Sequence, residues 1–286
     1  MPPRTLSPCL LAALLSSGCV LPVKDVGEFL PEQGLVSTTA AETSGDGATT
    51  TSAPPAEATA ETTTDDPTTG APLVCPDVET VHVGDVDIFS TADAEAIAGI
   101  TRVVGIVSIS GTDYSLEPLK CLRKIDQGYI GDNMRTELHG LEALEEVVGE
   151  LEIGGNDDLP DFTGLSGLKK VGHLWIRQND GIVSLAGLEN LTEVGRLSLV
   201  WNPELVDLTA LAGLTAIPDL SITRNDKLTS LAGLDHVEQV TDRVIIEDND
   251  LLATCDIAAL VAGIDDRQGE LCIRDNLADA CPDDCP

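Results

Sequence analysis

Carboxylates are the most numerous side chains in this chain that could take part in chemistry. The 286 residues include 49 Asp and Glu against 16 Lys and Arg, a formal net charge of −33. Polysaccharide-cleaving enzymes of β-solenoid architecture cluster such groups, often with Ca²⁺ or a basic residue. The acids on predicted strands are instead scattered among neutral and basic neighbours: Glu150, Glu152, Asp219, Glu247 and Asp248. This pattern does not favour a catalytic carboxylate site.

Other candidates for catalysis or metal binding are few. Of the four histidines only His173 falls on a predicted strand face, and we expect no serine or cysteine nucleophile beside it. Phosphate binding needs a basic footprint that this acidic chain lacks. The sequence therefore predicts a protein that is not an enzyme, with no cofactor, metal or nucleic-acid partner. Acidic pairs in predicted turns are interpreted as solvated turn residues without a calcium-loop motif: Asp157-Asp158, Asp248-Asp250, Asp265-Asp266 and Asp283-Asp284.

The elements that must position these residues belong to one repeat, which runs from about Gly128 to Asn276. Its mark is an asparagine that follows a short stretch of alternating apolar residues, such as Leu174-Trp175-Ile176. A period of this size predicts a solenoid, in which each coil buries its apolar face against its neighbours. The asparagines Asn133, Asn156, Asn179, Asn202 and Asn225 are 23 residues apart, Asn249 follows after 24 and Asn276 after 27.

Within each repeat, apolar residues recur at every third position after the strand. This spacing fits neither a helix nor a strand and predicts a narrow core enclosed by 3₁₀-like turns. The asparagines fall where the chain leaves the strand, a place suited to left-handed backbone, and we expect them to form a structural ladder. One repeat carries Leu159, Phe162, Leu165, Leu168 and Val171, and the next Ile182, Leu185, Leu188, Leu191 and Val194.

The repeat resembles the receptor L domain, the leucine-rich-repeat-like solenoid of insulin- and EGF-receptor-type proteins, also found in predicted bacterial lipoproteins. The segments GELEIGGNDDLPDFTGLSGLKKVGHLWIRQND and GRLSLVWNPELVDLTALAGL carry the resemblance, which covers about residues 75–286. It implies a mainly β fold, a right-handed parallel β-helix or leucine-rich-repeat-like solenoid. The clear repeats, together with weak strands before them, predict about nine coils. Short capping helices are predicted near Ser90–Ile100 and Cys255–Ile264.

Six cysteines of the predicted solenoid form an even set, which in an exported chain indicates disulfides but permits several connectivities. The repeat register favours Cys255 with Cys281, in neighbouring coils about 4.8 Å apart. The resemblance implies that Cys75 pairs with Cys121 to close the N-terminal cap, and elimination leaves the pair Cys272–Cys285. Metal binding is the rival interpretation, but no paired CxxC motif occurs.

The N-terminal segment predicts export. Residues 1–19 contain Arg4, an apolar run and a small residue before Cys19, as in a bacterial lipoprotein signal whose cysteine is acylated. Secretion without lipid is the alternative. Residues 20–74 are rich in Thr, Ala, Pro and Glu, which predicts a disordered stalk. We therefore expect a domain held by an N-terminal lipid to the cell envelope, in the bacterial outer membrane since Val20 is not a retention aspartate.

The outward face of the predicted sheet carries both tryptophans of the chain and much of its arginine. Exposed tryptophan with arginine neighbours is typical of an interface anchor or a sugar-stacking surface. We therefore expect this face to recognise an extracellular protein or glycan without chemistry. The alternative is that the arginines only neutralise neighbouring acids on a structural envelope spacer. The residues of this candidate site are His173, Trp175, Arg177, Arg196, Trp201, Arg224 and Arg243, with Arg274 in the same series.

Overall fold

The computed structural model describes residues 73–111, 114–264, 266–267 and 269–277. These residues belong to one compact unit, Pro72–Pro286. The predicted signal segment and nearly all of the predicted stalk, residues 20–74, lie outside the described residues. No helix in the described ranges has the length and apolar character needed to cross a membrane.

The described part of the chain is mainly β, with one large parallel sheet. Its ten strands follow the order β1-β3-β4-β5-β6-β7-β8-β10-β12, with β2 also paired to β3, while β9 and β11 form a second small sheet. Such an array of parallel strands in chain order is compatible with the predicted solenoid. The strands are β1 (Val81–Val83), β2 (Val86–Ile88), β3 (Arg102–Ile109), β4 (Lys124–Asn133), β5 (Glu146–Asn156), β6 (Lys170–Arg177), β7 (Glu193–Val200), β8 (Asp219–Thr223), β9 (Gln239–Val240), β10 (Arg243–Glu247), β11 (Asp266–Arg267) and β12 (Glu270–Arg274).

Both predicted helices are present. Helix α1 spans Thr91–Ala96, and the Ser90 hydroxyl accepts a hydrogen bond from the Asp93 amide as its N-cap. Helix α2 spans Thr254–Gly263. Helix α1 lies inside its predicted segment, and α2 begins and ends one residue earlier than predicted, so the existence of both is confirmed and only their ends differ.

The three-residue apolar spacing has a direct structural cause. In the repeat after β5 the Leu165 amide donates to the Phe162 carbonyl at 2.7 Å, and the Leu168 amide donates to the Leu165 carbonyl at 2.9 Å. Successive i to i+3 turns return every third side chain to the same side, and all three of these side chains are fully buried. The described 3₁₀ helices are Glu117–Leu119, Thr163–Leu165 and Thr209–Leu211.

The asparagine ladder is confirmed. Asn202, which is fully buried, donates through Nδ2 to the Ile176 carbonyl at 3.1 Å and to Asn225 Oδ1 at 3.2 Å. Its own Oδ1 accepts from Asn179 Nδ2 at 3.0 Å. The pattern repeats along the series, because Asn225 donates in the same way to Asn249 Oδ1. Each side chain therefore satisfies backbone groups of the preceding repeat and the amide of its neighbour.

The left-handed backbone lies one residue earlier than the sequence predicts. Asn202 does not have a positive φ; the residue before it, Trp201, has φ 58°. The amide of Asn202 makes its hydrogen bonds only when the side chain lies inside the core. The left-handed turn therefore falls on the preceding residue. The same holds throughout the ladder, at Asp132, Gly155, Gln178, Trp201, Arg224, Asp248 and Asp275.

Glycines allow close approach of neighbouring strands just before the outward-facing segment of the sheet. A Cβ on Gly172 would lie 2.4 Å from the Val148 carbonyl oxygen, and one on Gly195 would lie 2.6 Å from the Gly172 carbonyl oxygen. Neighbouring backbones approach too closely there for any side chain.

The predicted disulfide between Cys75 and Cys121 is confirmed, with an S–S distance of 2.03 Å and Cα atoms 5.2 Å apart. Cys255 and Cys272 are also disulfide-bonded. Cys281 and Cys285, their predicted partners, lie outside the described residues, so those two pairings stay predictions.

Candidate functional site: the outward face of the sheet

The candidate site lies on what we call the outward face, the solvent side of β5, β6, β7, β8, β10 and β12 with the residue that follows each strand. On β6, Leu174 and Ile176 are fully buried, whereas Trp175 between them is only partly buried. Alternation along the strand therefore points His173, Trp175 and Arg177 outward. The register places Glu152, Trp175 and Ser198 side by side on adjacent strands.

Trp175 is flanked on both sides along its strand. The His173 ring stacks on the indole with centroids 5.9 Å apart and planes within 11°. The Arg177 guanidinium lies over the same indole, 5.1 Å from its centroid. The faces of the Trp175 ring are thus occupied by its own neighbours, and its edge is the part available to a ligand.

Trp201 is the exposed aromatic of the outward face. It follows β7 at the corner of the sheet, and 45% of its surface is accessible. The Arg224 guanidinium lies 5.2 Å from its ring centroid, and Arg224 Nε also pairs with Asp248 Oδ2 at 3.2 Å. Arg224 is thereby held in place beside the ring.

Asp219 joins two arginines from the neighbouring strands. Its Oδ2 pairs with Arg196 Nε at 2.9 Å and its Oδ1 pairs with Arg243 Nε at 2.9 Å. The carboxylate is almost fully buried, with 5% of the side chain accessible, which shows that the two guanidinium groups cover it. Such an arrangement fixes both arginines as planar hydrogen-bond donors.

The remaining acids of the outward face are paired in the same way. Arg177 Nε donates to Glu152 Oε1 at 2.6 Å, and Arg274 Nε donates to Glu247 Oε2 at 2.8 Å. Asp248, which the sequence assigns to a solvated turn, instead pairs with Arg224. The arginines of the candidate site thus have a neutralising role within the fold.

Glu150, His173 and Ser198 form a short hydrogen-bonded array across three strands. Glu150 Oε2 lies 2.7 Å from His173 Nδ1, and His173 Nε2 lies 3.1 Å from Ser198 Oγ. The hydrogen bond from His173 lowers the pKa of Glu150. The expectation that no serine lies beside His173 is therefore wrong. The register could have revealed it, because Ser198 occupies the position of Trp175 on the next strand and thus lies diagonal to His173.

Tyr129 is an outward-facing residue that the sequence reasoning missed. It pairs in register with Glu152, and its hydroxyl donates to Asp132 Oδ2 at 2.6 Å. Burial, together with that hydrogen bond, raises the pKa of Tyr129. A Cβ on Gly131 would lie 2.6 Å from the tyrosine ring, so the glycine makes room for the ring to lie flat on the sheet.

Of the other acidic pairs, Asp157-Asp158 is the one whose two side chains the structure describes. Asp157 and Asp158 are exposed in a turn, whereas Asp265, Asp283 and Asp284 lie outside the described residues. In the ranges that the structure describes, no group of three or more His, Cys, Asp or Glu side chains is arranged to hold a metal ion.

A scan against models of known protein families finds no match for this chain, and a comparison with curated proteins finds none either. The resemblance to receptor L domains therefore remains one of sequence pattern, carried by the repeated segments quoted above.

Proposed function

We propose that this protein is a non-enzymatic binding protein of the cell envelope, whose solenoid presents the outward face to an extracellular protein or glycan. In this proposal the solenoid is right-handed, with about nine coils, like a receptor L domain. The observation that carries the proposal is that Trp175 and Trp201, the two tryptophans of the chain, lie on one surface in contact with arginines.

The physical reason for this proposal is that exposed tryptophan leaves apolar area in contact with water, which is unfavourable unless a partner covers it. Tryptophan and arginine are the residues that most often dominate binding energy, because they combine apolar area with directional polar groups. Nearly half of the surface of Trp201 stays accessible, so the residue stabilises the fold less than a fully buried tryptophan would. Recognition of a partner would explain its position.

Binding measurements on tryptophan variants test the proposal. Trp175→Ala and Trp201→Ala together should weaken binding to cell-envelope preparations by about 1–2 kcal/mol or more, while thermal unfolding stays cooperative. Val183→Ala is a suitable control, because Val183 is similarly exposed but lies in the turn after β6. If the double variant binds as well as the wild type, this face is not the recognition site.

Attachment to the envelope is a separate part of the proposal. Acylation of Cys19 would anchor the solenoid through the stalk, in the bacterial outer membrane. The mature protein should then incorporate radioactive palmitate and partition into detergent, and Cys19→Ser should abolish both. Unlabelled, fully soluble wild-type protein would contradict the lipid anchor without affecting the binding face.

A structural spacer without a ligand is a second candidate function. It is favoured by the pairing of each site arginine with an acid, because these pairs account for the arginines without any partner. The two functions differ at Trp201, whose exposed ring a spacer does not need. Absence of binding to envelope preparations by the wild-type protein would favour the spacer.

A hydrolase is a third candidate, favoured by the Glu150–His173–Ser198 array. A serine hydrogen-bonded to a histidine that is oriented by an acid is the arrangement of acyl-transfer enzymes. Two observations weigh against it: Ser198 is only 8% accessible, and the histidine ring is stacked on Trp175. A fluorophosphonate probe discriminates directly, since labelling of wild type but not of Ser198→Ala would demonstrate a reactive nucleophile.

A further inference from the structure

Trp201 occupies a backbone position at which a large side chain is unfavourable. Its φ of 58° lies in the left-handed region, where residues without a Cβ or with a short polar side chain are least strained. The equivalent position of other repeats holds glycine at Gly155, aspartate at Asp132, Asp248 and Asp275, and longer polar side chains at Gln178 and Arg224, so Trp201 is the one aromatic residue of this series. A tryptophan here gives up stability without gaining full burial, which is a pattern of residues retained for function.

Each arginine at the outward positions is paired with a carboxylate, although Arg196 and Arg243 share a single one. Arg196 and Arg243 share Asp219, Arg224 pairs with Asp248, and the remaining arginines pair with glutamates. The whole chain also carries a formal charge of −33. Long-range electrostatics therefore repel acidic polysaccharides, and the one excess positive charge of the Arg196–Asp219–Arg243 group is offset by the nearby carboxylate of Glu150.

The same face lacks the apolar centre of a protein interface. The outward positions beside the tryptophans hold hydroxyl residues, Ser198, Ser221 and Thr223, and the outward Ile245 is only 2% accessible. Stable protein interfaces bury a contiguous apolar core surrounded by a polar rim. Apart from the partly accessible Val200, the accessible apolar surface at the outward positions of β6, β7, β8 and β10 belongs to aromatic rings among paired polar groups.

We infer that the outward face binds an uncharged glycan, with Trp201 and Arg224 as its main contact. This inference rests on the proposed binding function and specifies the ligand class. The aliphatic C–H face of a sugar ring packs on the accessible indole of Trp201. Arg196 and Arg243 use Nε in their pairs with Asp219, so their Nη groups can donate to sugar hydroxyls, and the partly accessible Ser221 hydroxyl can donate or accept.

The two tryptophans also have a spacing suited to an oligosaccharide. Trp175 lies on β6, and Trp201 directly follows β7, the adjacent strand. Val200 pairs with Arg177, so Trp201 is level with the residue after Arg177, three positions beyond Trp175. Three residues along a strand and one step between strands separate their Cα atoms by about 11 Å. A ligand that contacts both therefore extends over more than one sugar ring.

The test uses the full-length protein in affinity gel electrophoresis with soluble polysaccharides. The neutral probes are galactomannan, dextran, mannan and mixed-linkage β-glucan, and the anionic probes are alginate and polygalacturonate. We expect retardation by at least one neutral polymer and by neither anionic one. Because the chain has two tryptophans, Trp175→Phe leaves Trp201 as the only indole reporter, and its fluorescence should shift on titration with the retarding polymer.

The decisive variant is Trp201→Asn, which relieves the backbone strain while removing the ring. Affinity for the retarding polymer should fall about 10-fold or more, the loss expected on removing a hot-spot residue, while the thermal midpoint stays equal or rises. Val183→Ala should change neither. Unchanged affinity in Trp201→Asn, retardation by anionic polymers only, or retardation by none of the probes would overturn the inference.

The same variants separate this inference from the proposed function. If Trp201→Asn lowers binding to envelope preparations, and that binding persists after periodate oxidation of the glycans, the ligand is a protein. The ligand class is then wrong and the binding face is retained. If envelope binding is independent of both tryptophans, the proposed function fails as well.

Discussion

Removing one amide from the asparagine ladder should destabilise the fold far more than removing an exposed asparagine. Asn202→Ala eliminates four hydrogen bonds: two donated by Nδ2, to the Ile176 carbonyl and Asn225 Oδ1, and two accepted by Oδ1, from Asn179. At about 0.5–1.5 kcal/mol net for each bond, the loss is about 2–6 kcal/mol. This is a large fraction of the stability of an ordinary domain.

The assay is urea unfolding followed by circular dichroism, with Asn190→Ala as the matched control. Asn190 is exposed and donates one side-chain hydrogen bond, to the Ser166 carbonyl at 2.8 Å. Its removal should cost less than about 1 kcal/mol. The double variant Asn179→Ala/Asn202→Ala should cost less than the two single changes together, because both remove the bond between these two side chains. Equal losses for Asn202→Ala and Asn190→Ala would refute the ladder as a source of stability.

Three further predictions concern charge and covalent linkage. Asp219→Asn should cost about 2–4 kcal/mol because it leaves two partly buried arginines without their carboxylate, whereas Glu204→Gln, at an exposed pair, should cost less than about 1 kcal/mol in the same urea titration. Cys75→Ser should lower stability by about 4 kcal/mol, as expected for a disulfide closing a separation of 46 residues, and reductant should then have a smaller effect than on wild type. The hydrogen bond from His173 holds the pKa of Glu150 below its usual 4.5. The pair therefore stabilises the fold above pH 4.5, and this stabilisation is lost as the pH falls through the lowered pKa. Glu150→Gln should flatten this part of the pH–stability curve by less than about 1 kcal/mol.

Periodic contacts could be predicted from the sequence because each repeat solves the same packing problem. Leu165 and Leu168 are buried because they occupy the same core positions as the equivalent residues of the other repeats. Asparagines that recur at equivalent positions of stacked repeats lie next to each other. The outward direction of Trp175 followed from strand alternation alone. These features depend on position within the repeat, which the sequence displays directly.

Contacts between long side chains could not be predicted in the same way. Which of several acids Arg196 would choose depends on rotamers, and the covering of Trp175 by His173 depends on ring orientation. The sequence predicts the left-handed residue at Asn202, because asparagine favours such turns. In the structure the hydrogen bonds of Asn202 in the core override this preference, and Trp201 takes the left-handed conformation. The partners of Cys255 and Cys272 also depend on segments outside the described residues.

The asparagine ladder has a consequence for how such a chain can change its length. Each rung presents the same donor and acceptor to the rung above and below, as Asn179, Asn202 and Asn225 show. A duplicated unit of 23 residues would therefore meet neighbours that already carry the matching groups, and its excision would let the flanking rungs join. The ladder makes gain or loss of whole units an accessible route of evolution, and the intact rungs from Asn225 to Asn249 and from Asn249 to Asn276 show that units of 24 and 27 residues are accommodated as well.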